Sequence, residues 1–114
     1  MEKVRAIIKR SDEKYGHMTN ISLSLKNLQN HVGGYIETIT LRRANGKDIV
    51  IICNEEGKNL HLPDNMPNPL NPYDVIVGDI VVVGVDGEDF AEVPIEFAEW
   101  KEIVKSSFKS VSEI

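Results

Sequence analysis

Apolar and polar positions alternate along this chain with two periods, one typical of β-strands and one typical of α-helices. Short apolar runs at residues 4–8, 49–53 and 79–85 predict strands. The last run is the most apolar, which predicts a central strand covered on both faces. Residues 11–20 are polar and contain Gly16, which predicts a loop. We expect the strands to form one mostly antiparallel sheet of three to five strands.

A hairpin is predicted between residues 35–41 and 49–53. In the first of these strands, the alternating set expected to face the core consists of Tyr35, Glu37, Ile39 and Leu41, with Tyr35 at its border. The Asn45-Gly46 pair between the strands is the strongest short pattern for a hairpin turn, because both residues accept positive φ.

The first helical pattern covers residues 21–32. Its apolar residues recur at i, i+4, i+7 and i+11, namely Ile21, Leu25, Leu28 and Val32. Asn20 or Ser22 is expected to cap its start and Gly33 or Gly34 its end. The helix is short, so its stability should come from packing this apolar face on the sheet.

A second, C-terminal helix is predicted over about residues 94–111, with fraying past Ser106. Pro94 suits the first turn, where a missing amide is no loss. The apolar positions at helical spacing are Phe97, Trp100, Val104, Phe108 and Val111. A role in the core is favoured for Phe97 and Trp100; if the helix is loosely docked, the same stripe would instead form a homodimer contact.

Polar and proline residues follow the second hairpin strand. Residues 54–58, Asn-Glu-Glu-Gly-Lys, predict a turn in which Asn54 hydrogen-bonds the backbone two residues on and Gly57 takes positive φ. Residues 63–72 contain four prolines interleaved with aspartate and asparagine, which predicts a long loop. We expect this 63–72 loop to lie beside the 54–58 turn.

Composition limits the class of protein. The 114 residues suffice for a single domain over 1–114, and 41% apolar with 27% charged residues is a globular balance. The formal net charge of −5 disfavours direct binding to nucleic-acid backbones, although a local basic patch remains compatible with it. One cysteine, no signal-peptide pattern and no apolar run long enough to span a bilayer predict a cytoplasmic protein without membrane contact.

Recognised catalytic and metal-binding motifs are missing from the sequence, so no catalytic residue, metal ligand or cofactor is predicted. The three histidines have no partner at a metal-ligand spacing, and no glycine-rich phosphate loop is present. Cys53 ends an apolar strand, where a free cysteine usually acts as a small hydrophobe.

The carboxylates of the 54–58 turn are the most specific chemical feature. Glu55 and Glu56 could serve acid/base chemistry, or hold a divalent ion together with Asp64 and Asn65. A solvated turn is favoured over a site by roughly three to one, because turns collect such residues. The candidate ligand or partner residues are Asn54, Glu55, Glu56, Lys58, Asp64 and Asn65.

Five segments, in this order, resemble a family of small domains catalogued as domain of unknown function 3846. They are residues 28–37 (LQNHVGGYIE), 53–58 (CNEEGK), 62–65 (LPDN), 73–78 (YDVIVG) and 82–84 (VVG). The resemblance covers about residues 20–85. It implies a compact α+β domain in a bacterial, phage or mobile-element setting, and it implies no activity. The polar and glycine positions that match are Asn54, Glu55, Gly57, Asn65 and Gly78.

The sequence thus predicts an α+β fold, with a small mostly antiparallel sheet, one helix packed on it and an additional C-terminal amphipathic helix. Three functional hypotheses stay open. The first is an acidic accessory protein that binds a protein partner rather than a small molecule. The second is a ligand-binding or divalent-metal-dependent enzyme with its site at the 54–58 turn and the 63–72 loop. The third is a structural homodimer through the last helix.

Overall fold

The computed structural model describes residues 2–112 and has the predicted α+β architecture. In chain order the elements are β1 (Val4–Lys9), β2 (His17–Ile21), α1 (Leu25–Val32), β3 (Ile36–Ala44), β4 (Lys47–Asn54), β5 (Asp64–Asn68), β6 (Asn71–Val77), β7 (Ile80–Asp86), β8 (Asp89–Ala91) and α2 (Phe97–Ser112). Within the described residues, five strands form a sheet in the order β2-β1-β7-β4-β3, and β8 pairs with β7 as the sixth. Strands β5 and β6 form a separate two-stranded sheet, so the chain has more strands than the three to five expected.

Strand β7 is central, as its apolar character predicts. It pairs antiparallel with β1 on one side and with β4 on the other. Ile80 and Val82 belong to the core on one face of the sheet, whereas Val81 and Val83 belong to the core on the opposite face. Because every position of such a strand is covered, an unbroken apolar run is favoured over alternation.

Two apolar cores therefore sandwich the large sheet. Helix α1 covers one face with Leu28 and Val32, and α2 covers the other with Trp100 and Val104. The β5–β6 hairpin lies on the α2 face, where its Met66 and Ile76 are buried in the same core as Trp100. The indole Nε1 of Trp100 donates to the carbonyl of Tyr15 at 2.9 Å, so its one polar group is satisfied.

The β3–β4 hairpin is confirmed. Asn45 and Gly46 have φ of 51° and 79°, as a two-residue type I′ turn requires. Ile39 and Leu41 pack on the α2 face, as the alternation predicts, and a bulge lies between Thr40 and Arg42.

Two expectations for residues 11–32 are wrong in part. Residues 17–21 are not loop but strand β2, which pairs with β1 from His17 to Ile21. An edge strand can be largely polar because only backbone groups are needed for pairing, which is why the apolar pattern missed it. Ile21 ends this strand, and α1 begins only at Leu25, where the Ser24 hydroxyl accepts from the Asn27 amide at 3.2 Å. Gly33 caps the other end with φ of 81°, as predicted.

The predicted 63–72 loop is also wrong, because these residues form most of the β5–β6 hairpin. Pro67 and Pro72 are strand residues there. Proline cannot donate to a ladder, but in a two-stranded sheet each strand has one unpaired edge, where a missing amide costs no hydrogen bond. The buried Met66 and Ile76 give the hairpin its anchor in the core.

Helix α2 begins later than its sequence pattern predicts, ends close to the predicted residue 111 and stays helical past Ser106. It starts at Phe97 rather than Pro94 and continues past Ser106 to Ser112. Phe108 and Val111, expected on the apolar stripe, remain 49% and 38% exposed beyond the edge of the core. The homodimer contact through this helix stays a prediction. No helix among residues 2–112 is long and apolar enough to cross a membrane.

Candidate functional site

The turn after β4 is held to α1 by Asn54. Its buried side chain donates from Nδ2 to the carbonyl of Val32 at 3.1 Å, and its Oδ1 accepts from the amide of Glu56 at 2.8 Å. The second bond is the predicted contact to the backbone two residues on. The positive φ expected at Gly57 is wrong. A Cβ there would lie 2.8 Å from Cγ2 of Val77, so a larger residue would require Val77 to shift.

Asn65 points to a different part of the molecule. It is buried, and its Nδ2 donates to the carbonyls of Lys9 and Gly78 at 3.0 and 2.8 Å. Its Oδ1 accepts from Lys9 Nζ at 2.8 Å. The side chain therefore joins β5 to β1 and to the end of β6, and its donors and acceptor are used within the fold.

The exposed carboxylates do not gather into an ion site. Glu55, Glu56 and Asp64 all lie at the surface. Within residues 2–112, no group of three or more His, Cys, Asp or Glu side chains is arranged to hold a metal ion. Because Asn65 faces Lys9, the four residues considered for divalent binding are not brought together as a set.

A cleft of about 310 Å³, here called the turn cleft, lies between β3, the end of β4 and β6. Its lining consists of Glu37, Ile39, Cys53, Asn54, Glu55, Lys58, Asn59 and residues 74–77. Asn54, Glu55 and Lys58 were singled out from the sequence, whereas Glu37 and Asp74 were not. The sequence contained one indication for Glu37, a carboxylate in the alternating set that includes the core residues Ile39 and Leu41.

An ion pair crosses the turn cleft between Lys58 and Asp74. The hydrogen bond from Lys58 is the main cause that lowers the pKa of the Asp74 carboxyl, and it likewise raises the pKa of Lys58. Asn68 Nδ2 also donates to Asp74 Oδ2 at 3.1 Å. The pair ties the 54–58 turn to β6 and leaves the carboxylates of Glu37 and Glu55 without a lysine or arginine partner among the described residues.

Cys53 lies in the floor of the turn cleft but is unsuited to nucleophilic chemistry. Burial, followed by the nearby Glu37 carboxylate, raises the pKa of its thiol to about 11. Its Sγ lies 3.9 Å from Oε2 of Glu37, to which the thiol donates. Since the thiolate is the reactive form, a thiol with this pKa is inert near neutral pH.

A second cleft, here called the helix cleft, lies further along β3 and has a volume of about 440 Å³. It is lined by Leu41 and Arg42 of β3, Pro69 and Leu70 of the β5–β6 hairpin, and Glu99, Glu102, Ile103, Ser106, Ser107 and Ser110 of α2. Glu37 and Ile39 of β3 line the turn cleft. Leu41 and Arg42, further along the same strand, line the helix cleft. The two clefts therefore follow one another between β3 and the hairpin.

Two large exposed apolar side chains line these clefts, Leu70 in the helix cleft and Val75 in the turn cleft. Among the described residues, Tyr35 just before β3, Leu60 in the turn after β4 and Tyr73 in β6 are also large, apolar and exposed. Tyr73, at 81%, is the most exposed of them. Exposed tyrosines are enriched at sites where another protein binds.

Comparison with known proteins identifies a family but no activity. No curated protein and no solved structure matches the chain. The model of one family, described as "Domain of unknown function (DUF3846)", matches residues 4–106. That match runs from β1 into α2, and is wider than the resemblance over residues 20–85. This chain therefore belongs to the DUF3846 family.

Proposed function

We propose that this protein is a non-enzymatic accessory module that acts by binding another protein, which it holds as an extended segment along β3. The observation that carries the proposal is the pair of clefts that follow the same strand. We further propose that it works in the cytoplasm, which its single buried thiol fits, and in a bacterial, phage or mobile-element setting.

Strand β3 offers backbone groups to such a segment. Within residues 2–112 it pairs only with β4, so the donors and acceptors of its other edge are not used in the sheet. The strand is nine residues long, which corresponds to about 30 Å. Addition of a strand to an open edge supplies affinity through main-chain hydrogen bonds, and adjacent pockets supply specificity for alternate side chains.

The charges of the turn cleft favour a basic side chain from the partner. Three carboxylates, Glu37, Glu55 and Asp74, line it against the single cation Lys58. Since Lys58 is already paired with Asp74, an arginine or lysine that enters the cleft would meet Glu37 and Glu55. The helix cleft, with Leu41, Leu70 and Ile103 in its lining, suits an apolar residue of the same segment.

Selection from a library of displayed random peptides tests this proposal without a known partner. We expect the selected peptides to share a basic residue spaced from an apolar one, and their affinity to fall as salt rises. Glu37→Lys should weaken binding of the selected peptide at least tenfold, because it places a cation where the partner's cation sits.

The matched control is Glu88→Lys, which makes the same charge change at the exposed β7–β8 turn. It should leave the affinity within about threefold of wild type, since a distant exposed charge acts weakly. An equal loss of peptide affinity in both variants, or a selection that yields no peptide, would refute the proposed mode of binding.

A further inference from the structure

A cluster of lysines surrounds Tyr15 on the side of α2 away from the helix cleft. The ammonium nitrogens of Lys14, Lys101 and Lys105 lie 5.4, 5.7 and 6.0 Å from the centre of the Tyr15 ring. Lys101 also lies 5.9 Å from the centre of the Phe97 ring. We call these residues the Tyr15 patch.

The Tyr15 patch continues along the helix. Lys101, Lys105 and Lys109 are spaced four residues apart, which places them along one side of α2 over about 12 Å. A row of lysines on one helix face is the electrostatic pattern of a nucleic-acid contact. It stands out in a chain whose formal net charge is −5.

Asp12 and Glu13 line one pocket together with Lys14, and among the described residues one ion pair involves a lysine of the patch. Lys105 pairs with Glu102 at 3.4 Å, an exposed contact that water screens. Among the described residues, Lys14 and Lys101 have no ion-pair partner. Three like charges are thus held close together, an arrangement that a bound polyanion would stabilise.

The ring at the centre of the patch is held in place. The carbonyl of Tyr15 accepts from the buried Trp100 indole, and the Tyr15 side chain packs against the core on the α2 face. The Tyr15 side chain therefore loses little conformational entropy when a ligand binds. An aromatic ring beside a cationic track is the combination by which proteins hold single-stranded nucleic acids, since bases stack on the ring and phosphates meet the cations.

We propose that the Tyr15 patch binds single-stranded nucleic acid, with phosphates on Lys14, Lys101 and Lys105 and a base against Tyr15. The site is separate from the two clefts and does not depend on a protein partner. The net charge of −5 disfavours direct binding to nucleic acid, but this proposal differs from that expectation because the local electrostatic field, and not the overall charge, determines such binding.

Fluorescence anisotropy with a labelled oligothymidylate of about 20 nucleotides, at about 50 mM salt, tests the site on the full chain. Lys101→Gln/Lys105→Gln should weaken binding at least tenfold and lower the slope of log affinity against log salt by about 1.4. Tyr15→Leu, which keeps an apolar side chain but removes the ring, should weaken binding about fivefold or more. Circular dichroism and the melting temperature check that each variant is folded.

The matched control is Lys3→Gln/Lys26→Gln, which removes the same charge from exposed positions outside the patch. It should leave the affinity within about threefold of wild type. No binding by the wild type, equal loss in both double variants, or equal displacement by polyglutamate at matched charge would each overturn the assignment.

Discussion

Lys9 and Asn65 hold each other reciprocally: the ammonium of Lys9 donates to Oδ1 of Asn65 at 2.8 Å, and the amide of Asn65 donates to the Lys9 carbonyl at 3.0 Å. Both side chains are buried. The Lys9 ammonium also donates to the carbonyls of Glu13 and Asn65, at 2.6 and 3.2 Å. Through this contact, the β5–β6 hairpin that walls both clefts is joined to β1 of the large sheet.

We predict that Asn65→Ala destabilises the fold by about 2–4 kcal/mol. The change would remove a donor from the carbonyls of Lys9 and Gly78 and an acceptor from a buried ammonium. Urea denaturation measures the loss, and Asn59→Ala, at an exposed position, should change the free energy of unfolding by about 0.5 kcal/mol at most. Similar values for the two variants would show that the contact adds little.

The pH dependence of stability should carry a contribution from Lys9. Burial lowers the pKa of its ammonium from the usual 10.5. Between the lowered pKa and 10.5, the unfolded chain binds more protons than the folded one, so the Lys9 contribution to the free energy of unfolding rises with pH in this window. Below the lowered pKa it is constant.

Urea denaturation of wild type and Lys9→Met across this range isolates that contribution. The free energy of unfolding of wild type should increase relative to the variant as pH approaches 10.5. A difference that stays flat, or that falls with pH, would refute the depressed pKa of Lys9.

The Lys58–Asp74 ion pair should be visible by NMR titration of the Asp74 carboxyl. Its pKa should lie below the usual 3.8 in wild type and rise toward that value in Lys58→Gln, because the hydrogen bond from Lys58 is the main cause of the lowering. The contribution of this ion pair to the free energy of unfolding is fully present above the usual Asp pKa of 3.8. It is lost as the pH falls through the lowered pKa of Asp74. Lys47→Gln, which removes a different surface pair, should leave the Asp74 pKa unchanged.

Cys53 should react slowly with a thiol reagent in the folded protein. With its pKa raised to about 11, the thiolate is a minor species at about pH 8, and the folded chain should react far more slowly than the unfolded chain. Glu37→Gln should speed the reaction, because it removes the carboxylate that is the second cause of the raised pKa. Equal rates for the folded and unfolded chains would contradict the burial of Cys53.

Local patterns sufficed for part of this fold. The Asn45-Gly46 turn and the apolar run of β7 follow from the residues themselves, because each is set by backbone geometry or by complete burial. Strand β2 and the β5–β6 hairpin cannot be predicted from local residues in this way. Both depend on partners distant in sequence, and the prolines of β5 and β6 are compatible with strands only because each has an unpaired edge.

The candidate site was predictable to a similar extent. The pattern singled out Asn54, Glu55 and Lys58, which line the turn cleft, but it could not place Asn65, whose partner Lys9 is 56 residues away. Glu37 lines the cleft because β3 pairs with β4, and Asp74 lines it because of where the β5–β6 hairpin lies. Such tertiary contacts have no local sequence pattern.

The central claim, that β3 receives a partner's extended segment, is tested most directly by amide hydrogen exchange with a selected peptide bound. Strand pairing would slow exchange at those amides of Ile36–Ala44 that point away from β4, and the opposite edge strand, His17–Ile21, should exchange at its unbound rate. That result would support the account. Bound peptide with no slowing at β3, or with slowing at β2 instead, would contradict it.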